Sequence, residues 1–244
     1  MQSPTTQLID INADLGEGIT DDALLMPWIS SCNIACGGHA GDKQTIRNTL
    51  MIARQHAVKT GAHPGYPDRE NFGRKAMTIS SAKLTESLME QLELFFELAD
   101  EVHHIKAHGA LYNQAANDIR VAESFLEAIQ KLNVAPKLYV PYQSEIHRLA
   151  QSDFELEFEA FIDRGYTRFG SLVPRKQQGA IHETPEQAWE QLRQMILEGH
   201  VSTMSGKNIP VVADTYCIHG DHPKAVAILE YIHRKMKEHN IYLR

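Results

Sequence analysis

Short apolar, β-rich runs alternate along this chain with longer stretches of helical period. The runs Leu8–Ala13, Cys32–Cys36, Val58–Ala62, Val102–Lys106, Lys137–Val140, Leu156–Phe161 and Val211–Ile218 predict strands. Between them Ile46, Leu50, Ala53 and Ala57 recur at helical spacing, as do Leu84, Leu88, Leu92, Phe95 and Ala99, and Ala122, Leu126, Ile129 and Leu132. Two later helices carry start signals. Thr184-Pro185-Glu186-Gln187 supplies a capping Thr, a Pro in the first turn and a Gln placed to close a capping box. His222-Pro223 precedes Ala225, Leu229, Ile232 and Met236, with Asp221 expected at the positive end of that helix.

Strand–helix alternation implies parallel strands joined by crossover helices. The polar residues that follow the strands choose between the two sheet types this allows. Asp14 follows the first, His39 the second, His63 the third, His108 the fourth, Asp163 and Arg164 the sixth, and His219 the seventh. A doubly wound sheet would concentrate its site at one switch point, whereas a barrel opens every strand end on one mouth. Residues 1–244 are therefore read as one α/β domain, a seven-stranded parallel β/α barrel with a site at its mouth.

Composition narrows the class. Hydrophobic residues make up 43% and charged residues 23% of 244, an ordinary globular balance that can bury a large core. With 24 Lys and Arg against 31 Asp and Glu, the net charge of −7 argues against a general nucleic-acid binder, though not against a small anion held by a local basic patch. The start, Met1–Leu8, is polar, and no apolar run approaches the ~18 residues of a membrane span. Three cysteines without a secretory signal point to a reduced, cytoplasmic setting.

The candidate chemistry lies in six segments. In Asn12–Gly18, Asp14 and Glu17 can divide acid and base roles or bind a cation. In Cys36–Asp42 the glycines, Gly38 among them, suggest a tight loop whose amides can meet an anion, with Asp42 capping the next helix. Cys32 and Cys36 lie in an apolar run and read as core thiols. In Gly61–Lys75, His63 can act as ligand or acid/base, and Arg74 and Lys75 can hold a carboxylate or phosphate; Arg69 alone reads as a solvated loop charge. In Lys106–Asn113, a lysine at a buried strand end must be paired or working: Lys106 is expected to stabilise an oxyanion or to pair with Asp14 or Glu17. Asp163–Tyr166 offers adjacent Asp163 and Arg164, for substrate or as an ion pair, and Cys217–Pro223 offers His219. His103 and His104 sit near a strand start and read as structural or exposed. No G-x-x-x-x-G-K-[ST], G-x-S-x-G or H-E-x-x-H occurs, which removes Walker A, serine-hydrolase and zincin readings.

Asn12–Gly18, Asn33–Asp42, Gly61–Lys75, Lys106–Asn113, Asp163–Tyr166 and His219–Asp221 together resemble the LamB/YcsF family, from the first strand to the last helix. The chain departs from the pattern at Ala13, Gly38 and Ala107, where many members carry Cys, Phe and Pro. The resemblance implies an irregular seven-stranded β/α barrel of the glycoside hydrolase/deacetylase type. It implies that 5-oxoproline is opened to L-glutamate at the expense of ATP with Mg2+, in a complex with partner subunits B and C. Its catalytic residues would be Asp14 or Glu17 as base, Lys106 for the oxyanion, and His63 or His108 as acid or ligand. Asn12, Gly38, Arg74, Asp163, Arg164 and His219 would face substrate. Some deacetylases on such barrels hold a divalent metal with Asp and His, and Asp14, His39, His63 and His108 are the nearest matching set. A stand-alone metal-dependent amide or carbohydrate deacetylase, and a non-catalytic scaffold for the partners, are the competing expectations.

Overall fold

A computed structural model describes residues 6–19 and 21–244; the opening of the polar start, Met1–Thr5, lies outside the described residues. Seven strands form the barrel: β1 (Gln7–Leu15), β2 (Ser31–Ala35), β3 (Lys59–His63), β4 (His104–Ile105), β5 (Lys137–Val140), β6 (Leu156–Phe161) and β9 (Thr215–His219). They pair in that order, all parallel, and β9 returns to β1 through Asp10↔Thr215 to Asp14↔His219, so the sheet has no open edge within the ring. β7 (His200–Ser202) and β8 (Asn208–Pro210) form an antiparallel hairpin in the last crossover. β10 (Ile241–Leu243) adds to the start of β1.

The helices are α1 (Asp22–Leu25), α2 (Lys43–Gln55), α3 (Ser81–Leu98), α4 (Gly109–Ala115), α5 (Ile119–Lys131), α6 (Glu145–Ala150), α7 (Pro185–Arg193) and α8 (Ala225–Glu238). The predicted helical stripes are their buried faces: Ile46 and Ala53 on α2, Leu84, Leu88, Leu92 and Phe95 on α3, Ala122, Leu126 and Ile129 on α5. Thr184 and Gln187 make the expected reciprocal capping box, and Asp42 caps α2 through the Thr45 amide at 2.8 Å.

Strand alternation sorts the side chains into two layers. In β1, Ile9, Ile11, Ala13 and Leu15 join the apolar cluster shared with the helices. Asp10, Asn12 and Asp14 point the other way, since Asn12 reaches Glu159 on the non-adjacent β6 at 3.0 Å. Ser31 and Asn33 of β2, Glu157 and Glu159 of β6, and Thr215 and Cys217 of β9 continue this layer. The barrel interior is thus a buried hydrogen-bonded lattice rather than the layered Val, Ile and Leu usual in such barrels. At its floor Arg244 closes on Glu157 at 2.6 Å and approaches Asp10 at 3.7 Å.

Several predicted boundaries move for local reasons. Ala57 adopts φ 55°, so α2 ends at Gln55, and Val58 bonds back to the Ala53 carbonyl rather than entering β3. The fourth strand shrinks to His104–Ile105. The seventh predicted strand starts at Thr215, because Asp214 is drawn into side-chain and backbone bonds with Phe158. α8 starts at Ala225, after His222 Nδ1 accepts from the Lys224 amide. Asp221 is not at that helix start; it bridges two arginines, as described below.

Candidate functional site at the barrel mouth

Tight turns after the strands fix the backbone before any side chain acts. The Gly16 amide donates to Asp22 Oδ2 at 3.0 Å, and Thr49 Oγ1 donates to the same oxygen, which shapes the turn carrying Glu17. The glycine loop after β2 closes with the Gly37 amide on the Ala40 carbonyl. Arg69, read as a solvated charge, instead donates to the Gly37 and Gly41 carbonyls at 2.9 Å and clasps the loop that presents His39. Gly65 and Gly73 lie so close to the imidazoles that a Cβ on either would fall 2.8 Å from a His39 atom, and Gly73 also has φ 60°.

Glu17, His39, His63 and His108 converge there. Glu17 Oε1 lies 3.3 Å from both His39 Nε2 and His108 Nδ1, and His108 Nδ1 lies 3.0 Å from His63 Nε2. The His39 and His108 rings stack at 3.6 Å, with the Phe72 edge against both. One ligand atom from each of the four residues fits within a 4.8 Å span, so this group could hold a metal ion. Burial pushes Glu17 towards its neutral form, but the adjoining His108 and then His39 imidazoles outweigh this and hold the carboxyl below the usual range. Burial, followed by the neighbouring His108, lowers His39 to about 3, and burial lowers His108 as well. His39 and His108 are therefore neutral at neutral pH.

Asp14 stands beside this group rather than within it. Its Oδ1 accepts from Lys106 Nζ at 2.9 Å and Asn33 Nδ2 at 2.8 Å and lies 3.5 Å from His63 Nε2. Lys106 also meets Glu159 Oε1 at 2.8 Å and Cys217 Sγ at 3.1 Å. Its ammonium is thus surrounded by protein groups: of the two expectations for Lys106, the structure displays pairing with Asp14, and Glu17 takes no part. Burial alone would neutralise Lys106, but Asp14 foremost holds its proton well above the ordinary lysine range. Burial likewise opposes ionisation of Asp14, and the Lys106 ammonium, with the adjacent His63 side chain, overcomes it. The Cys217 thiol, driven up by burial, is no thiolate. Cys36 also rises to about 12 and, like Cys32, is a buried free thiol.

Across the mouth, His219 Nδ1 lies 2.9 Å from Asp163 Oδ2, whose carboxyl is held low against burial by this imidazole. Arg164 does not pair with its neighbour Asp163; its Nε and Nη2 donate to the Ala180 and Val173 carbonyls. Arg74 and Arg175 both bind Asp221. These segments enclose a cavity of about 770 Å³ lined by Asp14, Glu17, His63, Lys106, His108, Arg164 and His219, with Arg74, Lys75, Arg175 and Lys176 at its rim.

Two predicted substrate-facing residues lie elsewhere. Asn12 is in the interior lattice, donating to Glu159 and Thr215. Gly38 is packed beneath the Gln91 amide, which bonds to Gly65 and would have to move to admit a side chain there. His104 is structural, stacked on Tyr139 and bonded through Nε2 to Asn33 at 2.6 Å. Sequence reading gave no role to Asn33, Glu159 or Arg175. The signal for the first two was present in the polar/apolar alternation within β2 and β6.

The fold and site define a parallel β/α-barrel protein with carboxylates, imidazoles and cations gathered at the mouth. The chain belongs to the LamB/YcsF family, whose profile matches residues 9–244. It is 39% identical over 244 residues to the 5-oxoprolinase A-subunit of Bacillus cereus (strain 03BB102), covering 96% of each chain. It is 40% identical over 238 residues to that of Histophilus somni (strain 129Pt), again covering 96% of each. Among solved structures, the lactam utilization protein of Thermus thermophilus superposes with a TM-score of 0.90 at 31% identity, covering 98% of this chain and 99% of that one. Among the described residues no helix is long and apolar enough to cross a membrane.

Proposed function

We propose that this chain is the lactam-opening subunit of an ATP-dependent 5-oxoprolinase, acting with subunits B and C to convert 5-oxoproline to L-glutamate. The carrying observation is the cavity itself: a chain of net charge −7 rims one opening with four Arg and Lys side chains and sets carboxylates and imidazoles at its base. That suits a small anionic substrate whose amide bond is to be broken. The names of the relatives point the same way.

A five-membered lactam closes readily from glutamate, so its opening needs coupling to ATP. Phosphorylation of the amide oxygen would make the ring carbon electrophilic. The sequence has no Walker A loop, so we assign ATP, its Mg2+ and this step to the partner subunits. In this chain Arg164, with Arg74 at the rim, holds the substrate carboxylate. Of Asp14 and Glu17, Asp14 is the better placed base, since its contacts all fall on Oδ1 while the residue lines the cavity. Lys106 acts as a positioning residue that keeps Asp14 ionised. Water adds to the activated carbon and gives its proton to Asp14; the ring C–N bond breaks as His219, oriented by Asp163, supplies a proton to the departing nitrogen, and phosphate leaves as the new carboxylate forms.

Reconstitution with the candidate partners tests this reading. 5-Oxoproline should stimulate ATP hydrolysis, and glutamate should form only when all components are present. Asp14→Asn should lower glutamate formation by at least about 10²-fold with the fold intact. Amide or sugar deacetylation by this chain alone would favour the stand-alone reading, and an unimpaired Asp14→Asn complex the scaffold reading.

A further inference from the structure

We infer that Glu17, His39, His63 and His108 form a binding site for one transition-metal ion, with Asp14 outside the ligand set. The inference rests on tautomers that the backbone dictates. His63 Nδ1 lies 2.8 Å from the Lys106 carbonyl, and a carbonyl can only accept, so the neutral ring carries its proton on Nδ1 and a lone pair on Nε2. His108 Nε2 lies 2.9 Å from the Phe72 carbonyl, so its proton is on Nε2 and its lone pair on Nδ1. The two lone pairs therefore face each other across 3.0 Å. Two acceptors at that distance repel unless a cation lies between them, and a shared proton would leave an imidazolium in a buried site. Glu17 Oε1 supplies the anion, 3.3 Å from His108 Nδ1 and from His39 Nε2.

The spacings of 3.0 and 3.3 Å are those of neighbouring ligands on a metal, and the 4.8 Å span of the whole set would tighten on binding. A tetrahedral ion with ligand bonds of about 2.1 Å separates its donors by roughly 3.4 Å. Ligating imidazoles usually donate their other N–H to a carbonyl or carboxylate, which fixes the ring, and His63 and His108 both do so. His39 has no such support: its Nδ1 is buried without a hydrogen-bond partner among the described residues. It is accordingly the weakest ligand. Three imidazoles and one carboxylate favour Zn2+, Fe2+, Co2+ or Mn2+ over Ca2+ or Mg2+. Asp14 stands outside the set because the donors gathered within the 4.8 Å span are those of Glu17, His39, His63 and His108 alone, while its own Oδ1 is held by Lys106 and Asn33. Glu17, His63 and His108 line the cavity, so the ion would have an open side there. When bound, such an ion acts as a Lewis acid or lowers the pKa of water.

The proposal is independent of the lactam reading, because its test reads metal content rather than turnover. The full-length protein is stripped with chelator, checked for native circular dichroism, and titrated with Zn2+ and Co2+ by calorimetry and visible absorption. About one ion per chain is expected, with Co2+ giving the intense visible bands of a low-coordinate site. Glu17→Gln and His63→Gln should each weaken binding by at least about 10-fold. His39→Gln should weaken it less, and Asp14→Asn should leave it within a few-fold of wild type. A folded wild-type chain that takes up no ion overturns the proposal. So does undiminished binding by a folded Glu17→Gln/His63→Gln double variant, or loss on Asp14→Asn with retention on Glu17→Gln.

Discussion

Lys106 is a buried cation that two carboxylates keep charged, and its removal would strand both. Asp14 and Glu159 lie 2.9 and 2.8 Å from its Nζ. Lys106→Met should therefore cost about 3–5 kcal/mol, the usual penalty for breaking a buried pair from one side. Chemical denaturation would measure it, and adding Glu159→Gln should recover part of the loss. Asp163 gives a pH signature with a definite sign. Its carboxyl is held below the unfolded-state value by His219, so its stabilisation is complete above about pH 4 and fades as the pH falls towards the folded value. Asp163→Asn should be less stable than wild type by on the order of 2 kcal/mol at pH 7, and the gap should narrow between pH 4 and 2. Matched denaturation curves across that range would reveal a gap that failed to close. These residues also mark how far the sequence could be read. That Asp14, His63, Lys106 and His219 would share a mouth followed from their places after separate strands. That the Lys106 ammonium would be consumed by Asp14 and Glu159 did not follow, because the partner on β6 is set by the barrel's register rather than by local spacing.

At the scale of elements, hydrophobic periodicity located every barrel strand, and the bounds of β5 and β6 coincide with the apolar runs. Periodicity failed where backbone geometry overrode side-chain character: Ala57 fits the stripe of α2 but turns left-handed, and Val211–Asp214 is apolar enough for a strand, yet its Val211 amide bonds to the Gly199 carbonyl and Asp214 bonds to Phe158 of β6. Asp221 illustrates the same limit. An acid before a proline-led helix reads as a dipole partner, yet here it links Arg74 to Arg175 across the rim. The helix signal with the most specific chemistry, the Thr184 capping box, can be tested directly. Thr184→Ala should cost about 1 kcal/mol, a fall of roughly 2–4 °C in Tm for a chain of this size. Calorimetry would register it, and a null shift would mean that tertiary packing alone fixes the start of α7.

For the whole molecule, charge is distributed against its average. The chain is acidic, yet the cavity rim carries Arg74, Lys75, Arg175 and Lys176. Field lines focused at such an opening favour anion entry and are screened by salt. In the reconstituted complex, raising ionic strength from about 0.05 to 0.5 M should raise KM for the anionic substrate several-fold while changing kcat by less than about two-fold. Steady-state kinetics would separate the two; an equal fall in both would locate the salt effect in subunit assembly instead.

The polar lattice inside the barrel bears on how this chain can be cut or rebuilt. Its bonds join residues far apart in sequence: Asn12 to Glu159 across 147 positions, Asp10 to Thr215 across 205, and Asp14 to Lys106 across 92. A half-barrel lined with hydrocarbon can expose its inner wall and still collapse on itself. Here each half would keep donors, acceptors and charges whose counterparts belong to the other half, and burying them alone is costly. Splitting this barrel should therefore yield fragments that stay unstructured apart and regain shape only together, so recombining half-barrels from different relatives will succeed only when the inward-facing pairs are carried across as matched sets.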